Sequence, residues 1–215
     1  MAGRIVAAAQ GLGVGMASIL LAGALSACSS SPAAGPSAAA VPQKWVDFPS
    51  VLADEDALKQ TLPDPASMPG WKAHRKQVNQ AVSQVSEEDG DDCPGCKLDG
   101  NADFEAGTAK ASFKITTFTT AAEASSYLAT SVKKYGKNAS PLSVGMIGNE
   151  TTAYSGTFGS STGDLLLMRV GTTVAGVLVT GPSDVPKLQK MAIMLARRIE
   201  QTAAGQSANA ALDTV

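Results

Sequence analysis

The chain has a single histidine among 215 residues, three cysteines, and aromatic side chains at only 5%. One imidazole leaves no multi-histidine metal site and removes most triad chemistry, which needs a histidine between nucleophile and acid. Positive charge is not in excess either: 17 Lys and Arg face 19 Asp and Glu, a formal net charge of −2. Without a basic footprint the phosphate neutralisation behind nucleic-acid binding is missing, so no nucleic-acid partner is expected. No credible cofactor or metal motif stands in the folded part, so none of either is expected. Charged residues reach 17% and hydrophobic ones 44%, enough for one medium domain with a real core.

The amino terminus is what the sequence offers first. Arg4 is its one charge, followed by an uncharged run from Ile5 to Ala27, most apolar over Met16–Leu25. A positive start, an apolar middle and small residues at the exit read as a secretory signal peptide over 1–27. The competing reading is an uncleaved membrane helix, since the run just reaches the ~20 residues that span a bilayer. Gly11, Gly13, Gly15 and Gly23 make that helix a poor one.

The exit itself, Leu25-Ser26-Ala27-Cys28, resembles the lipobox of bacterial lipoproteins. The resemblance implies that the Cys28 thiol takes a diacylglyceryl group, that the leader is cut before it, and that the new amino terminus is acylated, as by palmitate. Cys28 would then anchor the chain to the extracytoplasmic face of the cell membrane. Ser29–Pro42 is rich in Ser, Pro, Ala and Gly and reads with its flanks (28–44) as a flexible tether. At the other end, 203–215 has no periodic face and reads as a disordered tail. One folded domain is therefore expected over 45–202.

Two segments of that domain carry helical patterns. Thr120-Ala-Ala-Glu123 is a capping box, after which Ala124, Tyr127, Leu128, Val132 and Tyr135 recur at helical spacing up to Gly136, a ready C-terminal cap. A second helix opens near Ser183–Pro186 with Val185, Leu188, Met191, Ala192, Leu195 and Ile199 on one face. Arg197 and Arg198 fall in its last turns, where the helix dipole favours cations.

Strands are expected at 71–78, 109–117, 142–147, 152–158, 165–170 and 173–180, with Gly171-Thr172 as a tight hairpin turn. The near-continuous apolarity of the last two argues for central strands covered on both faces. Strands joined by two-residue links pair antiparallel. The expected fold is α+β: an antiparallel sheet of five to six strands with two helices packed on one face.

Cys93-Pro94-Gly95-Cys96 is the most suggestive chemical motif, because a C-x-x-C can be a redox pair. A catalytic pair needs a lowered thiol pKa, and Glu87, Glu88, Asp89, Asp91 and Asp92 just upstream oppose it. An exported protein oxidises such cysteines, so Cys93 and Cys96 read as a structural disulfide. Asp99, Asp103 and Glu105 extend the acidic region, and Asp99-Gly-Asn101-Ala-Asp103 matches the opening of a calcium loop. Phe104 and Lys110 occupy the places where that loop requires Gly and Glu, so a solvated acidic loop is the better reading. Gly159-Ser160-Ser161-Thr162-Gly163 satisfies G-x-S-x-G, but a strand follows it and His74 precedes it, the reverse of a hydrolase elbow. A hairpin turn explains it. His74, beside Arg75 and Lys76, reads as a surface residue. Asn138 and Asn149 stand in glycan sequons that carry little meaning in a bacterial lipoprotein.

Leu62-Pro-Asp-Pro-Ala-Ser-Met-Pro-Gly-Trp71, with Met168–Ala175 and the later Ala196-Arg197-Arg198, resembles small actinobacterial cell-envelope lipoproteins. The extracellular sensor domain of a mycobacterial serine/threonine kinase is similar in general plan. The resemblance implies a small α+β module with intramolecular disulfides and no catalysis, and it transfers no functional residue. The expectation is a lipid-anchored, non-catalytic binding or sensing module whose small-molecule, lipid or protein ligand is unassigned. The alternatives are a lipid or glycolipid carrier of the cell envelope, and an oxidoreductase using Cys93 and Cys96. Trp71, Phe104, Phe118 and Tyr154 are the aromatic candidates for a ligand cleft, with core packing as their default role.

Overall fold

Alternation along four strands and two capped helices decides the architecture. A computed structural model describes residues 44–48, 52, 54–80, 93 and 95–215. The leader, Cys28, almost all of the tether and the acids at 87–92 lie outside the described residues. The elements run α1 (Glu55–Thr61), β1 (Lys72–Gln80), β2 (Cys96–Ala106), β3 (Ala109–Phe118), α2 (Ala121–Gly136), β4 (Ser140–Pro141), β5 (Glu150–Phe158), β6 (Ser161–Val170), β7 (Thr173–Thr180) and α3 (Val185–Ala203), with a 3-10 turn at Leu212–Thr214. All seven strands form one antiparallel sheet in the order β1-β2-β3-β7-β6-β5-β4.

The α+β class holds, and three details are corrected. Among the described residues the sheet has seven strands instead of five or six, and there are three α-helices instead of two. The helices also divide between the two faces. Leu58 and Leu62 at α1, with Leu188, Met191, Leu195 and Ile199 of α3, pack on Phe104, Phe113, Leu166, Met168 and Val177. Ala124 and Leu128 of α2 pack on the other face, against Phe118, Leu165, Leu167 and Val174. β6 and β7 are thus sandwiched, which is why Leu165–Val170 is buried residue after residue. A strand buried on both faces needs cover on both, and two helices on one face would have left Leu165 and Leu167 in water.

β2 replaces the expected acidic loop. Leu98, Gly100, Ala102 and Phe104 face the core while Asp99, Asn101, Asp103 and Glu105 face outward, an alternation with the period of a strand. Gly100 has a packing role: a Cβ there would meet Leu62 at 3.1 Å and Leu58 at 3.3 Å, so its absence lets α1 settle on the sheet. Where a strand over 142–147 was expected, pairing with β5 covers Ser140–Pro141 and ends at Leu142, whose N–H donates to Ala153 O, and Leu142, Val144 and Ile147 reach the core from irregular chain.

The caps behave as their chemistry dictates. Thr120 accepts from Glu123 N and the Glu123 carboxylate accepts from Thr120 N, closing both halves of the capping box. Gly136 is the last residue of α2 rather than a positive-φ cap. A Cβ there would fall 2.9 Å from the Tyr154 hydroxyl.

Arg198 is the larger surprise, since it does not sit at its own helix end. The side chain is 1% exposed and reaches across to α1. Its Nε donates to Thr61 O at 2.9 Å, and its Nη2 donates to Gln60 O at 2.8 Å, to Leu62 O and to Asp64 Oδ2. Nη1 donates to Ala210 O. The guanidinium therefore caps the carbonyls that α1 leaves open and holds the C-terminal segment in the same grip. Of residues 203–215, expected as a disordered tail, Ala203 closes α3 and the rest folds back: Ala210 is buried, Leu212 N donates to Ser67 O, and Gln201 bonds both Asn209 and Ala210.

Asp64 carries a pH dependence. Burial raises its carboxyl, but the Ser67 backbone N–H and the Arg198 charge outweigh that and hold it below the ordinary carboxylate value. A depressed folded value contributes stability above the unfolded one, and the contribution is lost as pH falls through the folded value. Asp64→Asn is accordingly expected to be less stable than wild type at neutral pH. The two urea midpoints should converge below about pH 4.

Candidate functional site

α2 is shorter than the face it lies on. It covers β5, β6 and β7, reaches β3 at its Phe118 end, and leaves the rest of the outward face of β2 and β3 open, so an open groove of about 400 Å³ runs along its flank. Tyr127, Ser131 and Tyr135, one helical turn apart on α2, form one wall. Phe158, Leu165, Leu167, Val174 and Leu178 make the apolar side. Asn101, Asp103, Ser112, Lys114 and Thr116 continue the floor as a polar side. Strand alternation puts these polar residues together, because every second residue of β2 and β3 points this way.

Gly176 gives the groove its depth. It sits mid-strand in β7, opposite Lys114, and an added Cβ would meet only Leu167 Cδ2 at 3.4 Å and Leu166 O at 3.9 Å, both ordinary contacts. Its missing side chain is thus a hollow in the sheet surface and not a requirement of the turn or the packing.

The groove's charges answer one another. Arg75 Nε donates to Asp103 Oδ2 at 2.8 Å, and Lys114 Nζ lies 3.5 Å from Asp99 Oδ1. Asp99 also accepts from Thr116 Oγ1 at 2.9 Å and from Asn101. Burial alone would lower the Lys114 ammonium, yet Asp99, Tyr127 and Tyr135 together hold it above its ordinary value. Lys114 therefore stays charged throughout the physiological range. Tyr135 packs edge-on against Phe158 at 6.1 Å and Tyr127 tilts against Phe118 at 5.1 Å, which fixes both rings from behind.

The sequence candidates end up elsewhere. Phe104 and Phe118 are buried in the two cores, Trp71 packs on the α3-side core, and Tyr154 lies against Gly136. None of the four lines the groove. His74 is exposed on β1. Gly159 and Ser160 form the β5–β6 hairpin turn, with φ +62° at Gly159, and Thr162 and Gly163 belong to β6. Asp99, Asn101 and Asp103 are strand residues in a row instead of a calcium loop, facing Lys114 and Arg75. Among the described residues no group of His, Cys, Asp or Glu could hold a metal ion. The groove residues were missed because their individual patterns are ordinary; only the row of alternating Asp99, Asn101 and Asp103 signalled a polar strand face.

Cys93 and Cys96 are joined by a disulfide that packs beside Phe118 at the first turn of α2. A helix start would ordinarily favour a thiolate. Here the Glu123 carboxylate fills the place, so close that a Cβ on Gly95 would fall 2.6 Å from its Cδ. Converting both cysteines to serine is expected to cost about 2 kcal/mol, the loop entropy of so short a ring, and to leave insulin reduction at background for both proteins. A loss of reductase activity in the double variant would reverse this assignment.

A second concavity of about 430 Å³ lies between α1 and α3, lined by Asp56, Lys59, Asp64, Lys76 and Arg198. Its inner donors are already occupied: Arg198 by carbonyls, and Lys76 Nζ by Leu62 O at 3.0 Å. Among the described residues no helix is long and apolar enough to cross a membrane.

Fold and groove together define an α+β module whose open, half-polar cleft is built from rigid strands and one helix. No family model matches the sequence, and no curated protein matches it. Among solved structures, the extracellular domain of PknH from Mycobacterium tuberculosis is similar, at 11% identity over 75% of this chain and 100% of that one, with a TM-score of 0.44. At that level the likeness establishes no shared role.

Proposed function

We propose that this chain is a lipid-anchored extracytoplasmic module that binds a small ligand in the groove beside α2 and does no chemistry on it. The observation that carries the reading is the groove's construction. An apolar and a polar wall meet over the bare floor at Gly176, in the volume range that small-ligand sites occupy. Its nucleophile-type side chains, Ser112, Ser131 and Thr116, have no histidine beside them, since His74 lies outside the groove. Anchoring rests on the resemblance of Leu25–Cys28 to a lipobox.

Half the lining is polar or charged, which argues against an acyl-chain carrier, whose site would be closed and apolar. Native mass spectrometry of the full chain from its own host tests the choice. A small polar molecule that co-purifies with wild type and is absent from Gly176→Val supports the binding module. A co-purifying acyl lipid would overturn it in favour of the carrier.

A further inference from the structure

We infer that the ligand of this groove is a neutral saccharide, an inference that rests on the binding reading above. The polar wall presents each cation already opposed by a carboxylate: Arg75 with Asp103, and Lys114 with Asp99. A free phosphate or carboxylate entering here meets two cations whose charge is already answered, Arg75 by Asp103 in the lining and Lys114 by Asp99 just outside it, so net charge gives it little. A hydroxyl differs, because it donates and accepts at once. It can donate to Asp103 while accepting from Arg75, without parting the pair. Ser112 and Asn101 add two more groups of mixed donor and acceptor character on the same sheet face.

The opposite wall supplies the other half of the match. Tyr135 is a flat apolar body with a polar tip, held by Phe158. A sugar ring has hydroxyls around its rim and C–H bonds on its faces, so it fits between an aromatic wall and a row of Asp, Asn, Arg and Ser. An acyl chain would desolvate that polar row while offering it no hydrogen bond, which is costly.

The test uses the full chain in a zwitterionic, sugar-free detergent, with amide NMR shifts as readout. The probes are neutral trisaccharides of glucose, mannose, galactose and arabinose, with glucose 6-phosphate and decanoate as comparators. At least one neutral trisaccharide is expected to move the amides of Ser112–Thr116 and Gly176 saturably. In Gly176→Val, whose side chain fills the hollow, the affinity should fall at least about tenfold with the thermal midpoint unchanged or higher, because β-branched residues suit strands. Asp103→Asn should weaken it as well.

Groove shifts with glucose 6-phosphate or decanoate alone overturn the saccharide inference and leave the groove standing as a site. No groove shift with any neutral probe also overturns it. The groove reading itself fails separately, when the host's own ligand protects a different surface.

Discussion

Replacing Arg198 with leucine is expected to cost about 3–5 kcal/mol, the range for stripping one partner from a buried, hydrogen-bonded charge site. Arg198 is 1% exposed, and its guanidinium donates to the carbonyls of Gln60, Thr61, Leu62 and Ala210 and to Asp64. An isobutyl group fits among the apolar neighbours but donates nothing, so buried carbonyls lose their partner in one step. The damage should spread to both segments that Arg198 ties together, the end of α1 and residues 204–215. Urea unfolding is expected to show a lower midpoint, and in a chain of this size the melting temperature should fall by on the order of 10 °C. Arg198→Lys should recover little, because one ammonium cannot reproduce the fork that reaches Thr61, Gln60 and Ala210 together. A change below about 0.5 kcal/mol, the usual size for a surface substitution, would remove Arg198 from this role.

Cys28→Ala is expected to abolish lipid attachment altogether. Each buried CH2 of an acyl chain contributes about 0.8 kcal/mol, and one chain holds only reversibly while two or more hold firmly. The wild-type chain in its own host should take up an alkyne analogue of palmitate and stay in the membrane fraction through a salt wash. The variant should show label at background only. Ser29–Pro42, rich in Ser, Pro and Ala and expected to serve as the tether, ends just before Lys44–Phe48. That segment is fastened to the domain by Asp47 on Arg169 at 2.8 Å and by Phe48 over Gly171. Label persisting in Cys28→Ala would show that acylation occurs elsewhere or that the lipobox resemblance misleads.

Local chemistry made part of the fold legible. The capping box at Thr120 and Glu123 and the positive φ of Gly171 appear where the residues place them. Continuous apolarity over Leu165–Val170 already required cover on two faces, and putting both helices on one face ignored it. β2 escaped because three acids (Asp99, Asp103 and Glu105) and Gly, Asn and Ala surround Leu98 and Phe104, so composition suggested a loop while the period-2 alternation of Leu98, Gly100, Ala102 and Phe104 described a strand. α1 escaped because seven residues give little periodicity, although Asp54 followed by Glu55 and Asp56 is a fair helix start. Arg198 was read against its own helix, whereas all its partners but Ala210 lie about 135 residues earlier in the chain. The groove was beyond sequence reading for a similar reason. It arises from α2 stopping short of β2 and of most of β3 and from one absent side chain at Gly176, both relations between distant segments.

Hydrogen–deuterium exchange on the full chain, with and without a polar extract of its own host's cell envelope, tests the central claim most directly. Protection is expected at Asn101–Asp103, Ser112–Thr116, Tyr127–Tyr135 and Gly176, and Gly176→Val should erase it. Protection confined to the α1–α3 face, or slowing at Cys93–Cys96 alone, would contradict a binding groove beside α2.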